Sequence, residues 1–249
     1  MPAVRVTRAG NYEWLRGMFE GERVYVLGGG GSLFGFRFDL LKDRRVIATN
    51  QSLVEVPEPA LYCCLDNTTE MDLKQTFGDD FRLKGQAFPV ICGPMANHPY
   101  GENIGVVNII KQYSEDPEVG LYGPASTGAV AISCALAGGA AEVITLGLDC
   151  GHLQLEDMPK WSAYVERNAD CYESDAIDRL DNEFVNAGRK ALVHYYSAGR
   201  GHRRDGVESA YRKMCETYSV FAPVADRIYN ASPTSRIPGF QKVNISEVM

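Results

Sequence analysis

The sequence predicts an α/β fold of the Rossmann-like kind: a mostly parallel sheet, helices on both faces and an irregular lid-like insert. Three observations predict it. The apolar stretch Val24–Leu27 runs into four glycines and then Ser32. A second apolar stretch, Val46–Thr49, ends at polar residues beginning with Asn50. Between residues 126 and 146, an alanine-rich helix, a glycine turn and an apolar strand follow in order, which is typical of parallel α/β units.

The N-terminal half supplies four predicted strands: Arg23–Leu27, Arg45–Thr49, Leu61–Leu65 and Phe88–Cys92. The segment up to about Glu20 is predicted to be helical, because apolar residues recur there at helical spacing. A helix or turn is expected at Phe34–Leu41 and a helix within Thr68–Lys84. The stretch Gly93–Gly120 is rich in Pro, Gly and Asn, and predicts a loop with one short helix near Val106–Tyr113.

In the C-terminal half, Ser126 opens a helix that ends near Ala137, where glycines stop it, and Glu142–Leu146 is the next strand. An amphipathic helix is predicted at Asp205–Tyr218 and a last strand at Arg227–Asn230. The stretch 151–186 is acidic, aromatic and irregular in pattern, which fits a mobile insert or, equally, a solvated helical face. We therefore expect one nucleotide-binding domain over residues 1–249, with a lid or acceptor insert at 151–200.

Composition narrows the function classes. The net charge of -7 argues against general nucleic-acid binding, which needs a basic face. No apolar run approaches the roughly 20 residues that cross a membrane, and no signal-peptide core opens the chain, so a cytoplasmic location is expected. The seven cysteines lack paired metal-ligand spacing and are expected to be reduced and mostly buried.

The glycine-rich turn after the first strand predicts a phosphate cradle. Glycine lets the backbone approach a ligand closely, and the helix that is expected to start next offers unpaired N–H groups and the positive end of its dipole. The expected contributors are Gly28, Gly29, Gly30, Gly31 and Ser32. The spacing is not the dinucleotide fingerprint, since no acidic residue ends the second strand, and it lacks the lysine of a P-loop. A tight turn with a purely structural role is the alternative.

Several blocks, taken in order, resemble a known group of proteins. They are Val26–Leu33, Thr49–Gln51, Ser126–Gly128 with Ala140–Asp149, Gly201–His202, and Ile228–Ser235 with Phe240. Together they resemble the bacterial sialyltransferases of glycosyltransferase family 42 and the related proteins of domain of unknown function 115, which include archaeal 6-hydroxymethylpterin diphosphokinases. The resemblance covers about half of the chain.

The resemblance implies a metal-independent, inverting transferase that uses a cytidine-monophosphate sugar and requires no cofactor. His202 matches the family's general base, and neutral imidazole suits that role near pH 7. The nucleotide would be held by the glycine-rich turn and by Asn50, Gln51, Ser126, Thr127, Gly128, Asp149, Ser232 and Ser235. Contacts to the leaving group or substrate would come from His152, His194, Tyr195, Tyr196 and Arg200.

Two residues differ from the sialyltransferase pattern and weaken the expectation that the donor carries sialic acid. Pro124 stands where the sialyltransferases carry an arginine, and Gly151 stands where they carry a tyrosine. Two further hypotheses therefore stay open. One is a Mg²⁺-dependent diphosphokinase of a small hydroxymethyl heterocycle, and the other is a non-catalytic nucleotide-binding protein of the same fold. The acceptor is not readable from the sequence; a homo-oligomer is implied only by analogy.

Overall fold

The structure is a computed structural model, and it describes residues 12–65, 69–83, 86–93, 104–106, 109–110, 113–123, 126–186 and 204–249. Two compact units divide the chain. The first comprises residues 1–27 and 44–143, and the second comprises residues 28–43 and 144–249. Strand β8 (Glu142–Leu146) crosses the boundary and belongs to both.

The first unit is built on parallel strands. They are β1 (Arg23–Leu27), β2 (Arg45–Thr49), β3 (Leu61–Cys64), β4 (Val90–Cys92) and β5 (Ile104–Val106). Their order is β8-β1-β2-β3-β4-β5, with Val24 opposite Arg45 and Tyr62 opposite Val90. The interiors of β1 to β4 are buried runs without polar alternation, as expected of parallel strands covered on both faces.

The helices of this unit are α1 (Thr69–Phe77) and α2 (Thr127–Ala137). Every residue of α2 is buried, and the helix packs against β1, β2 and β3. Its alanines and other small side chains allow this close approach, and Gly138 and Gly139 end it as predicted. A separate parallel pair is formed by β6 (Ile109–Ile110) and β7 (Leu121–Tyr122).

The second unit has the strand order β10-β9-β8, with β9 at Ile228–Asn230 and β10 at Gln241–Lys242. The described residues of this unit form four α-helices: α3 (Met158–Arg167), α4 (Ala176–Asn186), α5 (Arg204–Tyr218) and α6 (Ile245–Val248).

The predicted α/β class with a mostly parallel sheet is confirmed, and two local predictions are wrong. The described part of the N-terminal segment forms only a short 3-10 turn, Glu13–Leu15, because Gly17 (φ 74°) turns the chain there. The helix near residue 106 is replaced by β5 and β6, in which β-branched residues pair with neighbouring strands. Residues 158–186 are largely helical, which agrees with the helical alternative given for this stretch, and Trp161, Tyr164 and Val165 are buried on one face of α3.

Candidate functional site

The glycine-rich turn runs along the carboxyl end of β8. Gly28 N donates to Leu146 O at 2.8 Å, and Gly30 N donates to Gly147 O at 2.8 Å. Gly31–Leu33 then forms a single 3-10 turn, so no α-helix begins there. These two amides are therefore already paired within the protein.

A buried carboxylate completes this arrangement. Asp149, three residues beyond β8, accepts from Ser32 N at 2.8 Å and from the Ser32 hydroxyl at 2.6 Å. The two side chains are 4% and 1% exposed. On the other side, Ser32 O accepts from the indole of Trp161 at 3.2 Å. The Asp149 carboxylate thus takes the donors that the sequence analysis assigns to a phosphate.

The space around the turn explains why two of its residues are glycines. A Cβ on Gly30 would lie less than 3.0 Å from the carboxyl group of Asp149. A Cβ on Gly28 would lie equally close to Gly147 O. Both contacts are shorter than real Cβ atoms make, so these glycines let the turn lie against the end of β8. A phosphate role for the glycine-rich turn stays a prediction.

The turn Ser232–Ser235, which follows β9, is hydrogen-bonded to the residues that follow β8. Ser232 Oγ accepts from Gly147 N at 2.7 Å, and Ser235 Oγ donates to Leu148 O at 2.7 Å. Asn230 links the two serines, since its Oδ1 accepts from Ser232 N and its Nδ2 donates to Ser235 Oγ. The predicted contact of these serines with a nucleotide is untested, and their hydroxyls have structural partners.

Thr234 lies in the same turn, which the sequence pattern predicts to contact the nucleotide, but it was not among the predicted site residues. Its side chain is 9% exposed, and its buried hydroxyl has no hydrogen-bond partner within the described ranges. Buried hydroxyls are normally paired, so this one is available to a ligand or to water. A threonine between a proline and a serine carries no local signal that distinguishes it.

Lys242 of β10 was also missed. Its side chain is exposed, but the amine donates to Ser232 O at 3.0 Å and to Ser235 O at 3.2 Å. Burial of the amine lowers its pKa to about 8; the charge of Asp149 opposes this shift, and Lys160 adds to it. The unit therefore carries a cation against the predicted nucleotide turn, on a two-residue strand that periodicity does not detect.

Gly151 and Arg236 lie against each other. Arg236 N donates to Asp149 O at 2.8 Å, and a Cβ on Gly151 would come within 3.0 Å of the Arg236 side chain. Any larger residue at position 151, including the tyrosine of the sialyltransferases, would have to displace that arginine. The glycine at position 151 thus leaves room for the Arg236 side chain.

His152 is buried rather than placed at an open mouth. Its ring meets the ring of Tyr211, on α5, edge to face with centroids 5.0 Å apart. Burial raises the pKa of the Tyr211 phenol to about 12. The predicted substrate contact of His152 is not tested by this geometry.

In the first unit, Asn50 follows β2 in the left-handed conformation, with φ 51°. Its backbone O accepts from the Tyr62 hydroxyl at 2.8 Å, while its buried Oδ1 has no hydrogen-bond partner among the residues described. Gln51 donates to Asp72 at 2.9 Å, and its predicted contact with the nucleotide stays a prediction. Thr49 Oγ1 donates to Leu27 O and supports the end of β1.

The Ser126–Gly128 segment forms the N-terminus of α2. Ser126 Oγ accepts from Ala129 N at 3.4 Å and caps the helix, and Thr127 and Gly128 are buried in its first turn. The predicted nucleotide contact remains a prediction. Five predicted site residues lie outside the described residues: His194, Tyr195, Tyr196, Arg200 and His202. Pro124, where the sequence departs from the sialyltransferases, also lies outside them.

Of the predicted site residues, the second unit brings together the glycine-rich turn, Asp149, Ser232 and Ser235. Asn50, Gln51 and Ser126–Gly128 belong to the first unit. Across the part of the chain that the structure describes, no helix is both long and apolar enough to span a bilayer.

Comparison with known proteins gives a distant likeness. No protein-family model matches the chain, and no curated protein matches it by sequence. Among solved structures it is similar to the MAf glycosyltransferase from Magnetospirillum magneticum AMB-1, with a TM-score of 0.55 and 13% identity. The match covers 93% of this chain but 34% of the other, so this chain spans about a third of that protein's length. The likeness shows that the chain has a glycosyltransferase-like α/β fold.

Proposed function

We propose that the chain is a glycosyltransferase that transfers a sugar from a nucleotide donor, with cytidine monophosphate as the expected nucleotide. The fold likeness to a glycosyltransferase supports the reaction class. The resemblance of the sequence blocks to the sialyltransferase group supports the cytidine nucleotide. The sugar itself stays open, because Pro124 and Gly151 depart from the sialyltransferase pattern.

The backbone conformation of Asn50 and its buried amide oxygen are the observations that support nucleotide binding in this proposal. A residue with a Cβ at φ 51° is strained, and asparagine is one of the few that tolerate it. Its amide oxygen is buried without a described partner at the carboxyl end of a central parallel strand. Strain together with an unmet acceptor is typical of ligand sites, and a ribose hydroxyl or a base amino group would supply the missing donor.

The proposed chemistry is metal-independent and inverting. A general base takes the proton of the acceptor hydroxyl, the hydroxyl oxygen attacks the anomeric carbon, and the nucleotide leaves with its phosphate as an anion. His202 is proposed as the base from its match to the family motif. Stabilisation of the departing phosphate requires backbone N–H groups or cationic side chains near it.

Thermal unfolding with CMP, CDP, UDP, GDP and ATP, each with EDTA or with Mg²⁺, tests the proposal. A nucleotide at 100 times its Kd stabilises a protein by about 2.7 kcal/mol, which raises the Tm of a chain of this size by several degrees. Stabilisation by CMP or CDP in EDTA is expected. If only ATP with Mg²⁺ raises the Tm, the result would favour the diphosphokinase hypothesis. If no nucleotide raises the Tm, the result would indicate that the chain has lost nucleotide binding.

The base is tested separately by donor hydrolysis. The variant His202→Ala is expected to lower turnover of the nucleotide sugar by about 10²- to 10⁴-fold, the usual contribution of a general base. His98→Ala removes a histidine that the sequence does not place at the site and serves as the control. Equal activity of the two variants would exclude His202 as the base.

A further inference from the structure

Arg236 directly follows the Ser232–Ser235 turn and is held against the segment after β8. Its backbone N donates to Asp149 O at 2.8 Å. Its side chain lies over Gly151: a Cβ on that glycine would stand 2.9 Å from Arg236 Cδ and Nε and 3.2 Å from Cζ. The missing side chain at position 151 therefore makes the room in which the guanidinium lies.

The far end of the Arg236 side chain is held by an amide. When the Gln154 amide is oriented so that both of its ends are paired, its oxygen accepts from Arg236 Nη2 at 3.0 Å and its nitrogen donates to Glu156 at 2.9 Å. Arginine loses much rotamer freedom when it is ordered, so contacts at the backbone, along the side chain and at its tip indicate a defined position for this guanidinium.

The charge of Arg236 is not matched by a carboxylate. Arginines elsewhere pair with acidic side chains, as Arg23 does with Glu142. Across the described ranges, no carboxylate oxygen lies within 4.0 Å of the Arg236 guanidinium, and only Nη2 donates a hydrogen bond. A guanidinium has five N–H donors in a planar fork that suits phosphate and carboxylate groups, so most of these donors are available to an anionic ligand.

Thr234, two residues earlier on the same turn, has the complementary property. Its side chain is 9% exposed, and its hydroxyl has no partner among the residues that the structure describes. The neighbouring hydroxyls of Ser232 and Ser235 are both hydrogen-bonded within the protein. A buried hydroxyl is rarely left unpaired, so Thr234 is a second, independent indication of a ligand at this turn.

Lys242 fixes the segment that carries Thr234. Its amine donates to Ser232 O at 3.0 Å and to Ser235 O at 3.2 Å, the two carbonyls on either side of Pro233 and Thr234. The position of the Thr234 backbone is therefore set before a ligand arrives. The ammonium group also brings positive charge to the turn, which favours an anion there.

We propose that Thr234 and Arg236 bind a phosphoryl group in the second unit. The identity of the ligand rests on the transferase function proposed above, from which the group is the phosphate of the nucleotide donor. A phosphoryl oxygen fits both residues, because it accepts hydrogen bonds from a hydroxyl and from a guanidinium and carries the charge that Arg236 lacks. Inorganic phosphate has the same chemistry, and the experiments below separate these two sources.

Isothermal titration calorimetry of the full chain with CMP and with cytidine tests the role of Arg236. We expect the wild-type protein to bind CMP more tightly than cytidine. Arg236→Gln is expected to raise the Kd for CMP about tenfold and to leave the Kd for cytidine unchanged. Arg212→Gln, which removes an exposed arginine of α5, is the control. Equal Kd values of the two variants for CMP would overturn the proposal.

Two further variants separate the position of the charge from its presence. Gly151→Ala keeps Arg236 but adds a Cβ where its side chain lies, and is expected to raise the Kd for CMP by less than Arg236→Gln does. Arg236→Lys keeps the charge without the planar fork and is expected to fall between wild type and Arg236→Gln. Wild-type affinity in both variants would show a general charge effect and overturn the assigned site.

Thr234→Val removes the hydroxyl at nearly constant volume. Without ligand, its Tm is expected to equal or exceed that of the wild-type protein, because an unpaired buried hydroxyl is lost, while its Kd for CMP rises several-fold. A structural role of this hydroxyl would give the opposite pattern, a lower Tm with an unchanged Kd, and would overturn the assignment of Thr234.

Thermal unfolding in sodium phosphate and in sodium chloride of equal ionic strength distinguishes this site from the transferase function. Phosphate is expected to raise the Tm of wild type and of Arg212→Gln more than that of Arg236→Gln, since general salt effects are common to all three. This result without CMP binding would retain the site and reject the nucleotide donor. CMP binding of equal affinity in every variant would retain the donor and overturn the site.

A phosphate effect that is the same in all three proteins, together with equal Kd values for CMP, would overturn the site whatever the function of the chain. Far-ultraviolet circular dichroism of each variant verifies that the loss of binding does not reflect unfolding.

Discussion

The carboxylate of Asp149 accepts two hydrogen bonds from one residue, Ser32: one from its backbone N at 2.8 Å and one from its hydroxyl at 2.6 Å. The two residues are 117 positions apart, and both are buried. The glycine-rich turn is thus fixed by a protein anion at the carboxyl end of β8. This relationship leads to the first two predictions.

Asp149→Ala is expected to lower the free energy of unfolding by roughly 3 kcal/mol, because it leaves two buried donors of Ser32 without their charged acceptor. Asp149→Asn keeps one acceptor oxygen and is expected to cost about half as much. Urea denaturation measures both. Asp181→Ala, which removes an exposed carboxylate on α4, is the matched control and is expected to stay within about 0.5 kcal/mol of wild type. An Asp149→Ala protein as stable as this control would contradict the prediction.

Gly30→Ala tests whether a Cβ can fit next to the Asp149 carboxyl group; it does not test the backbone freedom of glycine. Gly30 has φ -70°, which alanine adopts readily, so the cost comes from the contact of the new Cβ with the Asp149 carboxyl group. We expect a loss of about 1–3 kcal/mol, typical of overpacking. Gly239→Ala separates the two effects, since Gly239 has φ 85° but open space around it, and is expected to cost about 1 kcal/mol. Unchanged thermal stability of Gly30→Ala would show that the turn can move away from Asp149.

Asn50→Gly tests the nucleotide contact without adding backbone strain. Glycine adopts φ 51° without strain, so the variant is expected to fold with near-wild-type stability while losing the amide oxygen. Its Kd for the nucleotide that stabilises the wild-type protein is expected to rise about tenfold, the equivalent of 1.4 kcal/mol. Isothermal titration calorimetry measures this. Gln75→Ala, which changes an exposed residue of α1 that is not among the predicted site residues, is the control, and equal Kd values for Asn50→Gly and wild type would exclude the contact.

The Lys242 amine predicts a pH dependence of stability. Its pKa is about 8 in the folded protein and 10.5 when unperturbed, so between these values the unfolded chain binds the additional proton. The contribution of this lysine to stability therefore rises as the pH increases from 8 to 10.5 and is lowest below pH 8. Lys242→Met removes the titration, and the difference in Tm between wild type and variant is expected to shift in favour of wild type across this window.

Differential scanning calorimetry at several pH values from 7 to 10.5 measures that difference. Lys213→Met, on the exposed side of α5, controls for the loss of a surface charge. A wild-type-minus-variant difference that stays constant with pH would show that Lys242 is as well solvated in the folded state as in the unfolded chain.

The predictions that succeeded from sequence concern segments whose pattern is local. The core of each strand β1 to β4 was found because a buried parallel strand is a continuous apolar run. The glycines after Ala137 marked the end of α2 because glycine commonly terminates helices. The stretch that contains α3 was left open between an irregular insert and a helical face, because acidic residues surround the apolar Trp161, Tyr164 and Val165.

The sequence by itself determined the α/β class, the main strands and the presence of a close-packed glycine turn, since these follow from local hydrophobic pattern and from the absence of a Cβ. Only the tertiary structure decided what that turn binds internally. It brings Asp149 to Ser32 and Cys215 to the backbone of Cys150, pairs that are far apart in the chain. Long-range pairing of donors, acceptors and thiols depends on strand order and on the approach of separate elements, and no local pattern encodes those.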